Sequence, residues 1–241
     1  METERKIACK NISQIQTARD IIPLSPAGSP GSHCPLFGVV MSAAFLQDLM
    51  VLVIGEGECC WNAYHQFQSQ GGKGRFYTYS MDNMDIIYGA GEKISVAVKK
   101  LYEMEPFRAI MLVSSCVPEL TGEDLERIAA KCNLPVPVLC AHTSHYNSTG
   151  YMQGITNFYS GLLPLIQPPS ETKNIVSILG ARYDGVACSE IPRMIADSEF
   201  EVFTPSNLDE IMTLSECRLT LVADVTSLGL ARKLYETYKV P

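Results

Sequence analysis

Apolar and polar positions follow two rhythms along this chain. Nearly unbroken apolar runs of strand length, "LMVLVIG" (Leu49–Gly55) and "AIMLVSS" (Ala109–Ser115), are separated by stretches of helical period. In "GEKISVAVKKLYEM", Ile94, Ala97, Val98 and Leu101 fall at i, i+3, i+4, i+7 with Lys99 and Lys100 off that stripe, which predicts an amphipathic helix. Thr121 to Asp124 form a capping-box pattern that predicts another helix, with Leu125, Ile128, Ala129 and Cys132 on one face. "PVPVLCAH" reads as a further strand, and the Pro-rich "LLPLIQPPSETKN" (Leu162–Asn174) as a linker. The rhythm then restarts. "IVSILGA", "FEVFTPS" and "RLTLVAD" are strand-like, with a helix around Ile191–Ala196 and a short helix capped by Ser206 with Asp209 between them. A final helix carries Leu230, Leu234 and Tyr238 at i, i+4, i+8.

Strands alternating with helices predict α/β architecture: doubly wound, Rossmann-like parallel sheets with right-handed crossovers. The expected organisation is an irregular Pro/Gly/Ser-rich lead-in over 1–33, a first Rossmann-like domain over 34–165 and a second over 174–241. By this reading the second unit has few strands and is incomplete, smaller than the usual ~100–150-residue domain.

Composition narrows the function. Hydrophobic residues make up 46% of 241, which supports a sizeable core, and a net charge of -7 with scattered basic residues argues against nucleic-acid binding. No run reaches the ~18 apolar residues that span a bilayer. The N-terminus "METERKIACK" lacks the apolar core of a signal peptide, so a cytoplasmic protein without a membrane partner is expected. The 9 cysteines are an odd number in a chain without a signal peptide, which favours free, metal-bound or catalytic thiols over a disulfide framework.

Position sorts the cysteines. Cys132 on a helix stripe and Cys140 within a strand read as packed core thiols, and no metal spacing links Cys9, Cys188 and Cys217. Cys34 begins the ordered part of the chain, while Cys59 in "GEGECC" and Cys116 in "SSCVPELTGED" each follow a strand. Parallel strands bring their C-terminal ends to one edge, so Cys59 and Cys116 are expected on the same side of a sheet. Thiolates converging there suit a soft metal or an iron–sulfur cluster. With no CxxC pair, spacing alone is weak evidence for a metal, and structural or redox thiols are the commoner reading.

A resemblance sharpens this. "CPLFGVVMSAAFLQDLMVLVIGEGECCWNAY" is similar to the first cysteine segment of nitrogenase component 1 proteins: a Cys, a helix ending in an Asp, an apolar strand and a Gly-x-x-x-Cys loop, matched by Cys34, Asp48, Gly55 and Cys59. "DIIYGAGEKI" resembles the family's Asp-x-x-(Phe/Tyr)-Gly-Gly-x-x-Lys-Leu segment through Asp85, Tyr88, Gly89 and Lys93. "SSCVPELTGED" resembles its third cysteine segment through Cys116, Gly122 and the acidic pair, and "PVPVLCAHTSHYNSTGYMQGITNFYSGLL" its next strand and loop. The likeness runs from Cys34 nearly to the end of the chain.

This resemblance implies a subunit of three Rossmann-like domains, the third missing after Pro241. It implies an iron–sulfur cluster, 4Fe-4S or P-cluster-like, held by Cys34, Cys59 and Cys116 at an interface with a second component 1-type subunit. It also implies an oxidoreductase receiving electrons from an ATP-dependent iron-protein reductase to reduce an unsaturated substrate; the alternative within the family is a cofactor-assembly scaffold without turnover. The family has one cysteine where this chain has two, and register favours Cys59 with Cys60 as alternate. Asp224 stands where α-subunits carry the thiolate for the large iron–molybdenum cofactor, and a hard carboxylate is a poor substitute there.

Other candidates have blander readings. His142 and His145 can relay protons, but loop histidines usually meet solvent or backbone. Trp61 fits beside a cluster or in simple packing. Glu119, Glu123 and Asp124 read as helix-start charges. "LGARYDG" lacks G-x-G-x-x-G, which disfavours a flavin or nicotinamide site.

Overall fold

A computed structural model describes residues 34–72, 75–144, 150–180 and 190–241. The lead-in over 1–33, Cys9, Cys188, His145 and most of "LGARYDG" lie outside them. The first region runs α1 (Pro35–Ala43), β1 (Met50–Gly55), α2 (Gly57–Ser69), β2 (Phe76–Ser80), α3 (Asn83–Tyr88), α4 (Gly91–Met104), β3 (Ile110–Ser114), α5 (Cys116–Thr121), α6 (Leu125–Cys132), β4 (Val138–His142) and α7 (Tyr151–Gly161). The second runs β5 (Lys173–Leu179), α8 (Glu190–Ala196), β6 (Glu201–Phe203), α9 (Leu208–Met212), β7 (Cys217–Val222) and α10 (Leu228–Tyr238). Every pairing is parallel, in the orders β2-β1-β3-β4 and β6-β5-β7. The α/β reading with two parallel sheets holds.

β1 explains its own sequence. Val51 and Val53 face one apolar layer with α1, α2 and α7, while Met50, Leu52 and Ile54 face another with α4 and α6. A strand buried on both faces has no polar side, hence the unbroken run. β2, half-exposed at the sheet edge, gives no such run, and "FYTYS" is the strand the apolar pattern passes over.

The first apolar layer continues into the second region. Leu162, Leu165 and Ile166, from the Pro-rich segment, are buried in it together with Leu179, Ile211, Leu230 and Leu234. Polar ties reinforce the junction: Asp48 Oδ1 accepts from Leu208 N at 2.8 Å, and Arg108 reaches Asp48 Oδ2 at 3.1 Å and Asp209 Oδ1 at 2.5 Å. Asp48, matched to the family's first segment, thus fastens the two regions.

Two caps differ from expectation. Thr121 closes α5, and Asp124 caps α6 by accepting from Arg127 N at 2.8 Å. α9 is capped by Asn207, which accepts from Glu210 N at 3.0 Å, while the Ser206 hydroxyl donates to Glu210 Oε2 at 3.1 Å. In both cases the side chain that reaches the third amide onward sets the start, and the sequence offers several suitable oxygens in a row.

Candidate functional site

The C-terminal edge of the first sheet gathers the chemistry. β1 and β3 are neighbours in register, with Ile54 opposite Ser114, and Ser115 N donates to Ile54 O at 2.8 Å. The segments carrying Cys59 and Cys116 therefore leave adjacent strands at the same level. Cys59 lies in the first turn of α2 and Cys116 opens α5. Cys34 reaches the same edge from outside the sheet as the N-cap residue of α1, followed by Pro35 at the first helical position. α1 lies so tightly on α7 that a Cβ on Gly154 would stand 1.9 Å from Pro35 O.

All three cysteines are half-buried. Burial pushes the Cys34 thiol up, and repulsion from Cys116 adds to it against the backbone bonds from Leu36 and Phe37 that lower it. Cys59 is pushed up to about 12, first by burial, then by Glu56 at the α2 N-cap, with further repulsion from Cys34 and Cys116. Cys34 and Cys59 thus both lie within electrostatic reach of neighbouring sulfurs, and a cationic group among them would favour their thiolates.

Cys60 points elsewhere. It is 4% exposed, its Sγ lies 3.6 Å from Gly55 O and 3.8 Å from Tyr79 O, and burial lifts it to about 11. Consecutive helical residues point in different directions, so the doublet splits into an edge thiol and a core thiol. Cys132 and Cys217 are buried and Cys140 is half-buried, each within or against the apolar layers.

Three thiols are a donor set that fits an iron–sulfur cluster. Among the described residues no three His, Cys, Asp or Glu side chains are grouped to hold one metal ion. A lone zinc requires sulfurs about 2.3 Å from one centre, whereas a cluster spreads its thiolates over several irons. A second observation lies between the cysteine loops. Ser115 is 1% exposed, and its hydroxyl is, among the described residues, the buried side-chain polar atom without a hydrogen-bond partner. An orphaned buried hydroxyl costs about 1–3 kcal/mol. A Cβ on Gly55 would lie 2.1 Å from that oxygen and 3.9 Å from Cys59 Cβ, so only glycine fits beneath it.

A charged clamp adjoins this edge. His142, the last residue of β4, holds Glu119 Oε1 through Nδ1 at 2.7 Å and Glu126 Oε1 through Nε2 at 2.9 Å. The bond to Glu119 leads in raising His142 to about 9, with Glu126 adding against desolvation. For Glu119, burial pushes up, but the bonds from His142 and Ser114 outweigh it and the carboxyl ends below its usual range. The expectation of solvent or backbone partners for His142 is corrected by these two carboxylates, which α5 and α6 bring to the strand end.

The Asp85 segment is a structural knot. Asp85 is buried, accepts from Tyr79 OH at 3.2 Å and pairs with Lys93 Nζ at 2.5 Å. Glu123 accepts from Ala90 N and so fastens the Gly89–Gly91 turn to the segment between α5 and α6. Asp224 caps a short 3-10 turn, its Oδ1 accepting from Thr226 N at 2.8 Å and Thr226 Oγ1 at 2.6 Å.

The sequence profile of the nitrogenase component 1 type oxidoreductases matches residues 34–241, beginning at Cys34. The chain belongs to this family. It is 21% identical over 236 residues (89% of this chain, 48% of the relative) to the nitrogenase iron-molybdenum cofactor biosynthesis protein NifE of Nostoc sp.. It is 24% identical over 224 residues (88% and 52%) to the light-independent protochlorophyllide reductase subunit N of Prochlorococcus marinus. Over 108 residues (44% and 30%) it is 27% identical to component CfbD of the Ni-sirohydrochlorin a,c-diamide reductive cyclase complex of Methanothermobacter thermautotrophicus. The solved structure of nitrogenase Cp1 at pH 6.5 shares the fold at TM-score 0.77 and 17% identity, covering 92% of this chain and 55% of that one. The chain thus spans about half the length of these relatives, or less. The family's relatives work in reductases and in cofactor biosynthesis, and no helix among the described residues is long and apolar enough to cross a membrane.

Sequence reasoning missed Glu56 and Ser115. Glu56 had a readable signal, a carboxylate just before a helix start. Ser115 had none, because a serine at the end of a strand reads as an ordinary helix cap.

Proposed function

We propose that Cys34, Cys59 and Cys116 hold an iron–sulfur cluster and that the chain acts as the cluster-bearing subunit of a nitrogenase-like reductase. The carrying observation is the convergence of three half-buried thiols at one sheet edge. When bound, the cluster supplies one-electron storage and transfer. Three thiolates leave a place for a further ligand, which a second component 1-type subunit can supply. The exposed apolar side chains around this edge support such a partner: Trp61 on α2, Ile87 and Tyr88 on α3, Leu120 on α5, with Tyr88 76% and Trp61 63% exposed. The protein residues hold and insulate the electron site, while Glu119 and His142 keep a proton close by.

In this reading an ATP-dependent iron-protein reductase supplies the electrons and an unsaturated substrate receives them; the cluster is 4Fe-4S or P-cluster-like. The second reading, a cofactor-assembly scaffold, is favoured by the likeness to NifE across 89% of the chain. Rapid-freeze spectroscopy of the loaded protein mixed with iron-protein and ATP separates them. ATP-dependent reduction of the cluster followed by reoxidation on adding substrate supports the reductase. A cluster that stays unreduced but leaves intact for an acceptor protein supports the scaffold.

A further inference from the structure

We infer that the Ser115 hydroxyl donates a hydrogen bond to a sulfur of the cluster site and thereby sets its reduction potential; the inference rests on the cluster reading above. Three observations converge on this oxygen. It is sealed from water at 1% exposure and has no partner within the described protein. Ser115 is the N-cap residue of α5, where a serine oxygen ordinarily accepts from an amide one turn on, yet it makes no such bond. Finally, the oxygen lies over Gly55, at the point where a Cβ would come within 2.1 Å of it, and that point is 3.9 Å from Cys59 Cβ.

Neither carbonyl at the end of β1 accepts from this hydroxyl. Ile54 O accepts from Ser115 N at 2.8 Å, and Gly55 O accepts from Met81 N at 2.8 Å and faces Cys60 Sγ at 3.6 Å. An O–H needs an acceptor when buried. Cys59 stands beside this hydroxyl and Cys116 follows it directly in the chain, so a thiolate or bridging sulfide held there is the acceptor it lacks. By contrast, the hydroxyl one residue earlier, Ser114 Oγ, donates to Glu119. The Ser114–Ser115 pair thus divides its donors between the charged clamp and the cysteine edge.

A donor to cluster sulfur stabilises the more negatively charged, reduced state, and hydrogen bonds to the sulfurs are among the factors that set potential. Ser115→Ala deletes the donor with little change of volume. In the anaerobically loaded protein, Ser115→Ala should keep its iron but shift the midpoint to more negative potential. The expected shift is about a tenfold change in the reduced-to-oxidised ratio, about 59 mV for a one-electron couple. Resonance Raman gives an independent readout: deuterium oxide should shift an Fe–S stretch in the wild type, and that component should vanish in Ser115→Ala. Ser115→Thr, which keeps the hydroxyl, should retain both wild-type properties. Should Ser115→Ala fail to hold a cluster, Ser115→Thr decides: wild-type midpoint and deuterium shift support the inference, and their loss overturns it. Equal midpoints and deuterium shifts in wild type and Ser115→Ala overturn it while leaving the cluster reading intact. A wild type that takes up no iron overturns the cluster reading itself.

Discussion

Both sheets end their parallel strands on an edge where helix starts and loops meet, and the two edges are furnished differently. At the first, Gly55 lies under a buried hydroxyl without an acceptor among the described residues, beside three half-buried thiols ringed by exposed apolar side chains. At the described part of the second, Gly180 takes φ +86 against Asp224, Asp224 Oδ1 accepts from both Thr226 N and Thr226 Oγ1, and Ser227 Oγ donates to Asp224 O at 2.8 Å. Among the described residues, the same architecture leaves satisfied polar side chains in one place and an unsatisfied hydroxyl in the other. Incompleteness at a buried edge points to a missing partner atom. The first edge is therefore the place to look for chemistry, whereas the described polar atoms of the second hold the chain together.

The largest expected contrast lies within the cysteine doublet. Cys59→Ser should lose most of the bound iron, because an alkoxide or hydroxyl ligates cluster iron less well than thiolate. Cys60→Ser should keep most of it, since its sulfur faces Gly55 O and Tyr79 O in the core. Iron analysis of both variants checks this; the reverse pattern would move the ligand by one residue.

Glycine substitution separates the edges next. Gly55→Ala brings a Cβ to 2.1 Å from Ser115 Oγ, and Gly180→Ala brings one to 2.8 Å from Asp224 N at a positive φ. Each should destabilise by about 1–3 kcal/mol, read as a lowered thermal midpoint. Gly55→Ala alone should also impair iron loading. Impaired loading in both would erase the distinction between the edges.

Asp224→Ala removes a side-chain cap and should cost about 1 kcal/mol with iron content unchanged. Loss of iron from this variant would assign the second edge a role denied to it here.

The smallest effect is the pH response of the clamp. His142 is raised from 6.5 to about 9, so its contribution is fully present below about pH 6.5 and fades as pH rises through 9. Glu119, lowered from 4.5, contributes above that value and loses its share as pH falls further. With nearly half of the imidazole open to solvent, screening leaves the pair worth about 1 kcal/mol. Unfolding of His142→Gln across pH 6.5 to 9 should show a flatter stability profile than the wild type.

Much of this was legible in the sequence, for physical reasons. Strands buried on both faces, such as Met50–Gly55 and Ile110–Ser114, print continuous apolar runs, and the crossover rule then puts Cys59 and Cys116 on one edge. β2, exposed on one side, prints no comparable pattern. Asp124 and Asn207 as caps were obscured by neighbouring residues of the same chemistry. The two carboxylates around His142 come from helices 16 and 23 residues away in sequence, a convergence that only the fold creates. The orphaned Ser115 hydroxyl is a negative feature, the absence of a bond, and no sequence pattern records it.

The most direct test of the central claim is the composition and spectrum of the anaerobically prepared protein, co-produced with the proposed component 1-type partner. Iron and acid-labile sulfide are measured together with low-temperature electron paramagnetic resonance before and after dithionite. Iron and sulfide are expected in nearly equal amounts, with a paramagnetic signal that changes on reduction and disappears when Cys34, Cys59 and Cys116 are replaced by serine. A colourless protein that stays free of iron after incubation with iron and sulfide would contradict it.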